Sequence, residues 1–283
     1  MKIGVLGNGF VGKATRILGC KDIELMVYDI MPELYLPLGT TLKDLCVCDL
    51  IFVSVPTPMS KNGSCYLGIL ESVIQDLSNI TNLNDNLVVI RSTVPPGTSD
   101  RFNCYFMPEF LTEKNFEYDF RNCQNWIFGL KNTPQDQIFK KKIKELIDYA
   151  FFEHKINYNN IHFVANKEAE MIKMFRNNYL SVKVSFCNEI SQFCELKGID
   201  YENVRKLAAV DDRIGLSHTK VPGPDGKKGF GGTCFPKDTN SLRYEMNNSG
   251  MKSYIVDAAI NRNVEVDRVE QDWFDNKGRA VVE

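Results

Sequence analysis

Short apolar runs punctuate the first half of the chain: Ile3 to Leu6, IELMVYD ending in Asp29, LIFVSVPTP from Leu50 to Pro58, NLVVIRSTV from Asn86 to Val94, and NCYFMPEF from Asn103 to Phe110. Segments of helical character alternate with them, such as Leu67 to Ile80. A strand buried on both faces has no polar side to alternate with, so unbroken apolar runs separated by helices predict a parallel sheet covered by helices on both sides. Ligands bind beyond the carboxyl ends of strands in such sheets, which directs attention to Thr57, Ser92, Thr93 and Glu109. Ordinary loop polarity explains any one of these residues equally well.

The pattern changes at Asn166. The stretch NKEAEMIKMFRNNYLSVKVSFCNEISQFCELKG contains no proline and no internal glycine before Gly198, and predicts one long helix with Asn166 as its cap. Lys173 and Asn177 share a face, as do Tyr179, Val182 and Phe186 on an apolar stripe. On spacing alone, a lysine and an asparagine four apart belong to a solvated face. A shorter helix over Tyr201 to Ala209, the stretch DDRIG and a Gly/Pro-rich loop follow, and the loop leads into KKGFGGTCFPKDT. Two domains are therefore expected, residues 1–165 with the sheet, and a helical domain over 166–283 that carries the cysteine loop and a short C-terminal tail.

With 43% hydrophobic and 25% charged residues, 283 residues suffice for two linked cores. A net charge of −2 and a pI near 6.0 supply no positive field for nucleic acid or an anionic membrane, so a small molecule or a protein is the expected partner. The start MKIGVLGNGF has no leader pattern and no long apolar run follows, which predicts a soluble, cytoplasmic protein. Nine cysteines without a C-x-x-C pair, and only His154, His162 and His218, argue against a disulfide framework and against a bound metal. Cys46 and Cys48 read as small buried hydrophobes.

Two motifs carry chemistry. In GNGFVG, Gly7, Gly9 and Gly12 have dinucleotide-site spacing: a tight turn, a close backbone approach to pyrophosphate, and close packing of helix on strand. Asp29 falls at the end of the second strand, where an acid meets the ribose hydroxyls, so the first domain is expected to be α/β, Rossmann-like and doubly wound. The second motif brings a thiol, Cys234, to the end of a glycine-rich backbone that composition predicts to be mobile. A plain linker is one explanation. The other is a nucleophile, and because a thiol with a pKa near 8.5 is mostly protonated at neutral pH, Lys237 and glycine amides are candidates to activate it.

Taken together, GNGFVG with Asp29, PTP, STVPPGT, PEFLTE, AEMIKMFRNNYL, DDRIG and GFGGTCFPKD resemble the UDP-glucose/GDP-mannose dehydrogenase family, the nucleotide-sugar 6-dehydrogenases, in order and over most of the chain. The resemblance implies NAD-dependent, four-electron oxidation of a sugar C6 alcohol to a carboxylate, with UDP-glucose as the expected substrate and GDP-mannose or UDP-N-acetylmannosamine as alternatives. It implies Cys234 as the nucleophile that forms a thiohemiacetal and then a thioester. Lys173 and Asn177 would hold the oxyanion, Asp238 and Thr93 would order a water, and Glu109 would act as general base in hydrolysis. Gly7, Gly9, Phe10, Val11, Gly12, Asp29, Thr57, Thr93 and Lys237 would hold the cofactor. Glu109, Phe110, Leu111, Lys173, Asn177, Phe230, Gly231 and Gly232 would line the substrate site, with Arg213 reaching its phosphate across a homodimer. Met107 and the segment FRNCQNWIFG depart from the family pattern locally, and the chain reads as a short form without the family's C-terminal UDP-binding domain. A non-catalytic nucleotide-sugar binder and a hydroxy-acid dehydrogenase, which would not need Cys234, remain as alternatives.

Overall fold

In the computed structural model, which describes residues 1–80 and 87–282, seven strands form one sheet in the order β2-β1-β3-β4-β5-β6-β7. The strands are β1 (Lys2–Leu6), β2 (Glu24–Tyr28), β3 (Leu50–Val53), β4 (Leu87–Ile90), β5 (Tyr105–Phe106), β6 (Asn125–Leu130) and β7 (Asn160–Ala165). Every neighbouring pair runs parallel except β5 and β6, which meet antiparallel at Phe106 and Gly129. Asn86, the first residue of the expected fourth run, lies outside the described residues. Neither β6 nor β7 is among the apolar runs that the pattern marks; β7 is an edge strand and none of its residues is fully buried.

The apolar runs are continuous because each central strand feeds two cores. Leu50 and Phe52 of β3 join Ile3, Val89 and Tyr105 on one side of the sheet, packed with Ala14 of α1 (Phe10–Thr15) and with Phe139, Ile143 and Leu146 of α5 (Asp136–Phe152). Ile51 and Val53 turn the other way, to Val88 and Ile90 and to Leu70, Ile74 and Leu77 of α2 (Gly68–Ile80). Two shorter helices, α3 (Thr98–Arg101) and α4 (Phe116–Arg121), lie between the later strands in sequence.

The chain divides into two compact units, one of residues 1–57 and 67–173, the other of 58–66 and 174–283. The long helix α6 (Asn166–Lys197) runs through the boundary, so Lys173 belongs to the first unit and Asn177 to the second. Asn166 does not cap it through its side-chain oxygen. Its amide nitrogen donates to Asp100 Oδ1 at 2.8 Å and to the Cys104 carbonyl at 2.9 Å, which fixes the helix start onto the first unit, while Glu168 accepts from the Ala165 N–H at 2.9 Å.

The second unit adds α7 (Tyr201–Ala208), α8 (Phe235–Asn248) and α9 (Tyr254–Arg262), then one π turn over Asn263–Asp267. Its C-terminal tail is not a free extension. The Met59 N–H donates to the Ala280 carbonyl and the Met59 carbonyl accepts from the Val282 N–H, while Met59, Trp273, Ala280 and Val281 share a small core. No described helix is long and apolar enough to cross a membrane.

Candidate functional site

In the first unit, the turn after β1 is built from glycines because no side chain fits. Gly7 has φ +89°, and a Cβ there would stand 2.4 Å from the Ser54 carbonyl oxygen; a Cβ on Gly12 would lie 1.9 Å from the Gly7 oxygen. Gly9 differs: it is exposed and has open space beyond it. Asp29 is buried, and its two oxygens accept from the Asn8 N–H at 2.5 Å and the Met31 N–H at 3.0 Å, so the acid ties the glycine turn to the end of β2. Arg16, absent from the sequence expectations, braces the same turn by donating to Asn8 Oδ1 at 3.2 Å. A close-packed turn that opens only above Gly9, with an acid at its edge, fits a dinucleotide. The turn runs through Gly7, Gly9, Phe10, Val11 and Gly12, with Phe10 and Val11 half-buried, and the Asp29 carboxylate stands at its edge.

The strand ends are joined by side chains. Thr57 Oγ1 donates to the Thr93 carbonyl at 2.8 Å and Ser92 Oγ to the Val55 carbonyl at 2.6 Å, which fixes the loops after β3 and β4 to each other; Thr93 itself is half-buried. After β5, Glu109 is 5% exposed and forms an ion pair with Lys173 Nζ at 2.6 Å, while the Leu111 N–H donates to its other oxygen at 2.8 Å. Lys173 Nζ also lies 5.8 Å from the centre of the Phe110 ring. Burial alone would raise the Glu109 pKa, but the Lys173 ammonium, the Leu111 N–H and Arg91 together hold the carboxyl below its usual range. Arg91 was not legible as a site residue. It is buried, donates to Thr15 Oγ1 at 2.7 Å, and burial draws its pKa down to about 10 against the pull of Glu109.

In the second unit, Cys234 is half-buried and is the residue from which α8 starts, with Thr233 Oγ1 3.8 Å from its Sγ. Pro236 occupies the first turn, where its missing N–H costs no helical hydrogen bond. Behind the thiol lies a buried polar cluster. Asp238, 1% exposed, accepts from Lys237 Nζ at 2.6 Å and from Asn177 Nδ2 at 2.6 Å, and its carbonyl accepts from Asn178 Nδ2 at 3.3 Å. Burial pulls the Lys237 pKa down, but Asp238, Cys234 and Cys65 together raise it above the usual lysine range. Cys65, another residue that the pattern did not single out, is brought near Lys237 by the segment 58–66, in which Met59 and Cys65 form an antiparallel bridge.

Two expectations need correction. Lys173 and Asn177 are not on a solvated face: they are 3% and 7% exposed, each buried against a carboxylate that spacing along the helix cannot reveal. The glycine approach to Cys234 is not loose. The Gly229 N–H donates to Asn188 Oδ1 at 3.1 Å, and Asn263 pairs with both the N–H and the carbonyl of buried Phe230, at 2.8 and 2.9 Å. A Cβ on Gly229 would stand 2.3 Å from Asn263 Oδ1 and one on Gly231 2.5 Å from the Arg268 guanidinium carbon, so at both positions glycine permits contact rather than motion. Gly232 alone faces open space, with φ +73°. Arg213 is exposed and bound to Asp211 at 2.5 Å.

Comparison with known proteins agrees with this arrangement. Residues 36–147 match the UDP-glucose/GDP-mannose dehydrogenase family NAD-binding domain and residues 167–265 the same family's central domain. The glycine turn lies ahead of the matched range and rests on its own geometry. A UDP-glucose 6-dehydrogenase of Rickettsia bellii is 33% identical over 226 residues, 76% of this chain and 49% of that protein; the chain thus spans about half the length of that curated relative. Among solved structures, a UDP-glucose dehydrogenase from Pyrobaculum islandicum superposes with a TM-score of 0.76 at 23% identity, covering 92% of this chain and 67% of that one. A UDP-D-ManNAc dehydrogenase from Pyrococcus horikoshii superposes with a TM-score of 0.72 at 22% identity, covering 93% and 68%. With a close-packed glycine turn in its first unit, a thiol beside a lysine and a buried aspartate in its second, and both of the family's domains matched in order, this chain belongs to the UDP-glucose/GDP-mannose dehydrogenase family.

Proposed function

We propose that the protein oxidises the C6 alcohol of a nucleotide sugar, UDP-glucose first among the candidates, to the carboxylate in two NAD-dependent steps through a covalent intermediate on Cys234. NAD accepts the hydride that leaves C6 in each oxidation. After the first, Cys234 Sγ adds to the aldehyde carbon, the carbonyl oxygen gains a proton, and a thiohemiacetal results. The second oxidation removes the remaining C6 hydrogen as hydride and the hydroxyl proton, leaving a thioester. Water attacks its carbonyl carbon, the C–S bond breaks, and carboxylate and thiol are released.

The residues divide this work by their chemistry. Lys173 and the Asn177 amide are the donors for the oxyanion that develops at C6, where a positioned cation is worth most because charge appears only there. Asp238 and Thr93 order the proton-accepting water, and Glu109, whose carboxyl is held ionised, serves as base in thioester hydrolysis. Lys237, kept charged beside the thiol, favours thiolate at Cys234 and is the proposed cofactor contact of the cysteine loop. Phe110, Leu111 and the backbone of Phe230, Gly231 and Gly232 bind the sugar, and Arg213 the phosphate of a substrate held by a second copy of the chain.

The observation that carries this proposal is the Lys237–Asp238–Asn177 cluster next to Cys234, in which Asp238 and Asn177 are buried and Lys237 is largely so. Withdrawing a charged pair and an amide from water is costly unless their arrangement serves chemistry or specificity, and a hydroxy-acid dehydrogenase has no use for the thiol they support. NADH formed per sugar consumed tests it with UDP-glucose, GDP-mannose and UDP-N-acetylmannosamine. Two per sugar with one of them is expected, and Cys234→Ser should stop carboxylate formation while NAD binding persists. One NADH per sugar, or full turnover by Cys234→Ser, would refute the thioester route.

A further inference from the structure

At the end of the matched central domain the chain closes α9 with the π turn, and just past it places Arg268, only 3% exposed, against the cysteine loop. A guanidinium is always charged, and burying one demands partners on every side. Arg268 Nε and Nη2 donate to the two oxygens of Asp272 at 2.9 and 3.1 Å, Nη2 also bonds Asp225, and Nη1 reaches the Lys228 carbonyl at 3.5 Å. Asp225 belongs to the Gly/Pro-rich loop and Asp272 to the tail, so one side chain ties both ends of this region together. Its flat face lies against Gly231, where a Cβ would meet Cζ, Nε and Nη2 at 2.5 to 2.8 Å. From the start of the same turn, Asn263 holds both backbone groups of the preceding residue, Phe230.

We propose that Arg268 is a positioning residue for the nucleophile, its guanidinium clamping the backbone at Gly231 so that the chain reaches Cys234, three residues on, in one fixed path. The clamp explains features that fold stability does not require together: a glycine at 231, two aspartates converging on one arginine, and a π turn, a local distortion often found at functional sites, that sets Asn263 and Arg268 at the correct spacing. Lysine is not an equivalent, because a point ammonium can neither span the two carboxylates nor lie flat over a glycine.

This rests on Cys234 being the nucleophile, and the experiment separates the two. Hydrogen exchange of the amides from Lys228 to Cys234, together with iodoacetamide alkylation of Cys234 read by mass spectrometry, reports on the clamp whether or not the thiol is catalytic. Arg268→Ala should accelerate the exchange, change the alkylation rate, and lower kcat with UDP-glucose by about 10²-fold, the usual effect of a displacement near 1 Å, while the KM for NAD stays near the parent value. Arg268→Lys should recover only part of kcat. Should Arg268→Ala fail to fold, Asp225→Asn, at a half-exposed position, loosens one arm alone and should shift exchange and alkylation in the same direction. Gly231→Ala should be severe in the parent chain and much milder when combined with Arg268→Ala, because the arginine is what the new Cβ strikes. Unchanged exchange and alkylation in Arg268→Ala or Asp225→Asn, or an equal cost of Gly231→Ala in both backgrounds, would overturn the clamp. Turnover by Cys234→Ser with the clamp signals intact would instead remove the catalytic role of the thiol.

Discussion

Asp29 holds its position through two backbone N–H groups, those of Asn8 and Met31, and so cannot swing away from an incoming anion. Two unit charges about 4 Å apart at an effective dielectric near 20 repel by roughly 4 kcal/mol, so a 2′-phosphate placed beside this carboxylate would be rejected strongly. NAD should support turnover far better than NADP; equal specificity constants for the two cofactors would disprove this. The Glu109–Lys173 pair makes a different prediction. Lys173→Met leaves a buried carboxylate without its main partner and should cost about 3–5 kcal/mol of stability at neutral pH, measured by urea unfolding. Because the folded-state pKa of Glu109 lies below the ordinary 4.5, its contribution is present above that pH and lost as pH falls through the lower folded value. In Lys173→Met burial dominates and moves that pKa upward, so the stability gap between variant and parent should narrow below about pH 4.5. A constant gap across acid pH would exclude the pair as its origin. Of these residues, Asp29 and the glycines were legible because backbone constraint writes itself into residue type. Arg91 and Arg16 were not, since nothing local distinguishes a buried arginine from a surface one.

At the scale of the element, α6 was readable from end to end, because the absence of proline and glycine over 32 residues leaves no competing structure. What spacing did not reveal was which face is buried. The polar Lys173 and Asn177 turn inward to carboxylates, whereas Phe175, Tyr179, Phe186 and Phe193 stand 53 to 62% exposed, with the Phe175 and Tyr179 rings stacked at 6.2 Å. A helix that hides its lysine and exposes its aromatic rings inverts the usual pattern, and exposed apolar rows of this kind mark interaction surfaces. The expected outcome is a homodimer through this face, seen by light scattering, with Phe186→Asp shifting it to monomer and, if Arg213 serves the partner's substrate, abolishing activity as well. A monomeric parent protein with full activity would rule this out.

For the whole molecule, the proposed site residues divide between the two units: the glycine turn and the Glu109–Lys173 pair in the first, Cys234 with Lys237, Asp238 and Asn177 in the second. Sequence spacing placed the fold of the first half well, since strand and helix periods are local. The membership of residues 58–66 in the second unit was invisible, because it depends on Met59 pairing with Ala280 and Val282, more than 200 positions away along the chain. That long-range closure gives a final prediction. Trp273, 3% exposed, fills the small core with Met59, Ala280 and Val281. Trp273→Ala should destabilise the second unit by about 3–5 kcal/mol, the usual cost of emptying a large buried aromatic site. Since this core also anchors the segment that brings Cys65 to Lys237, and the tail carries Asp272 to Arg268, iodoacetamide labelling of Cys234 should change in the same variant. NAD affinity should stay close to that of the parent, because the glycine turn and Asp29, most of the proposed cofactor site, lie in the first unit. Isothermal titration with NAD and site-resolved labelling on one sample decide it: equal loss of both would mean that the halves do not act separately, and loss of neither would mean that the tail core does not support the cysteine loop.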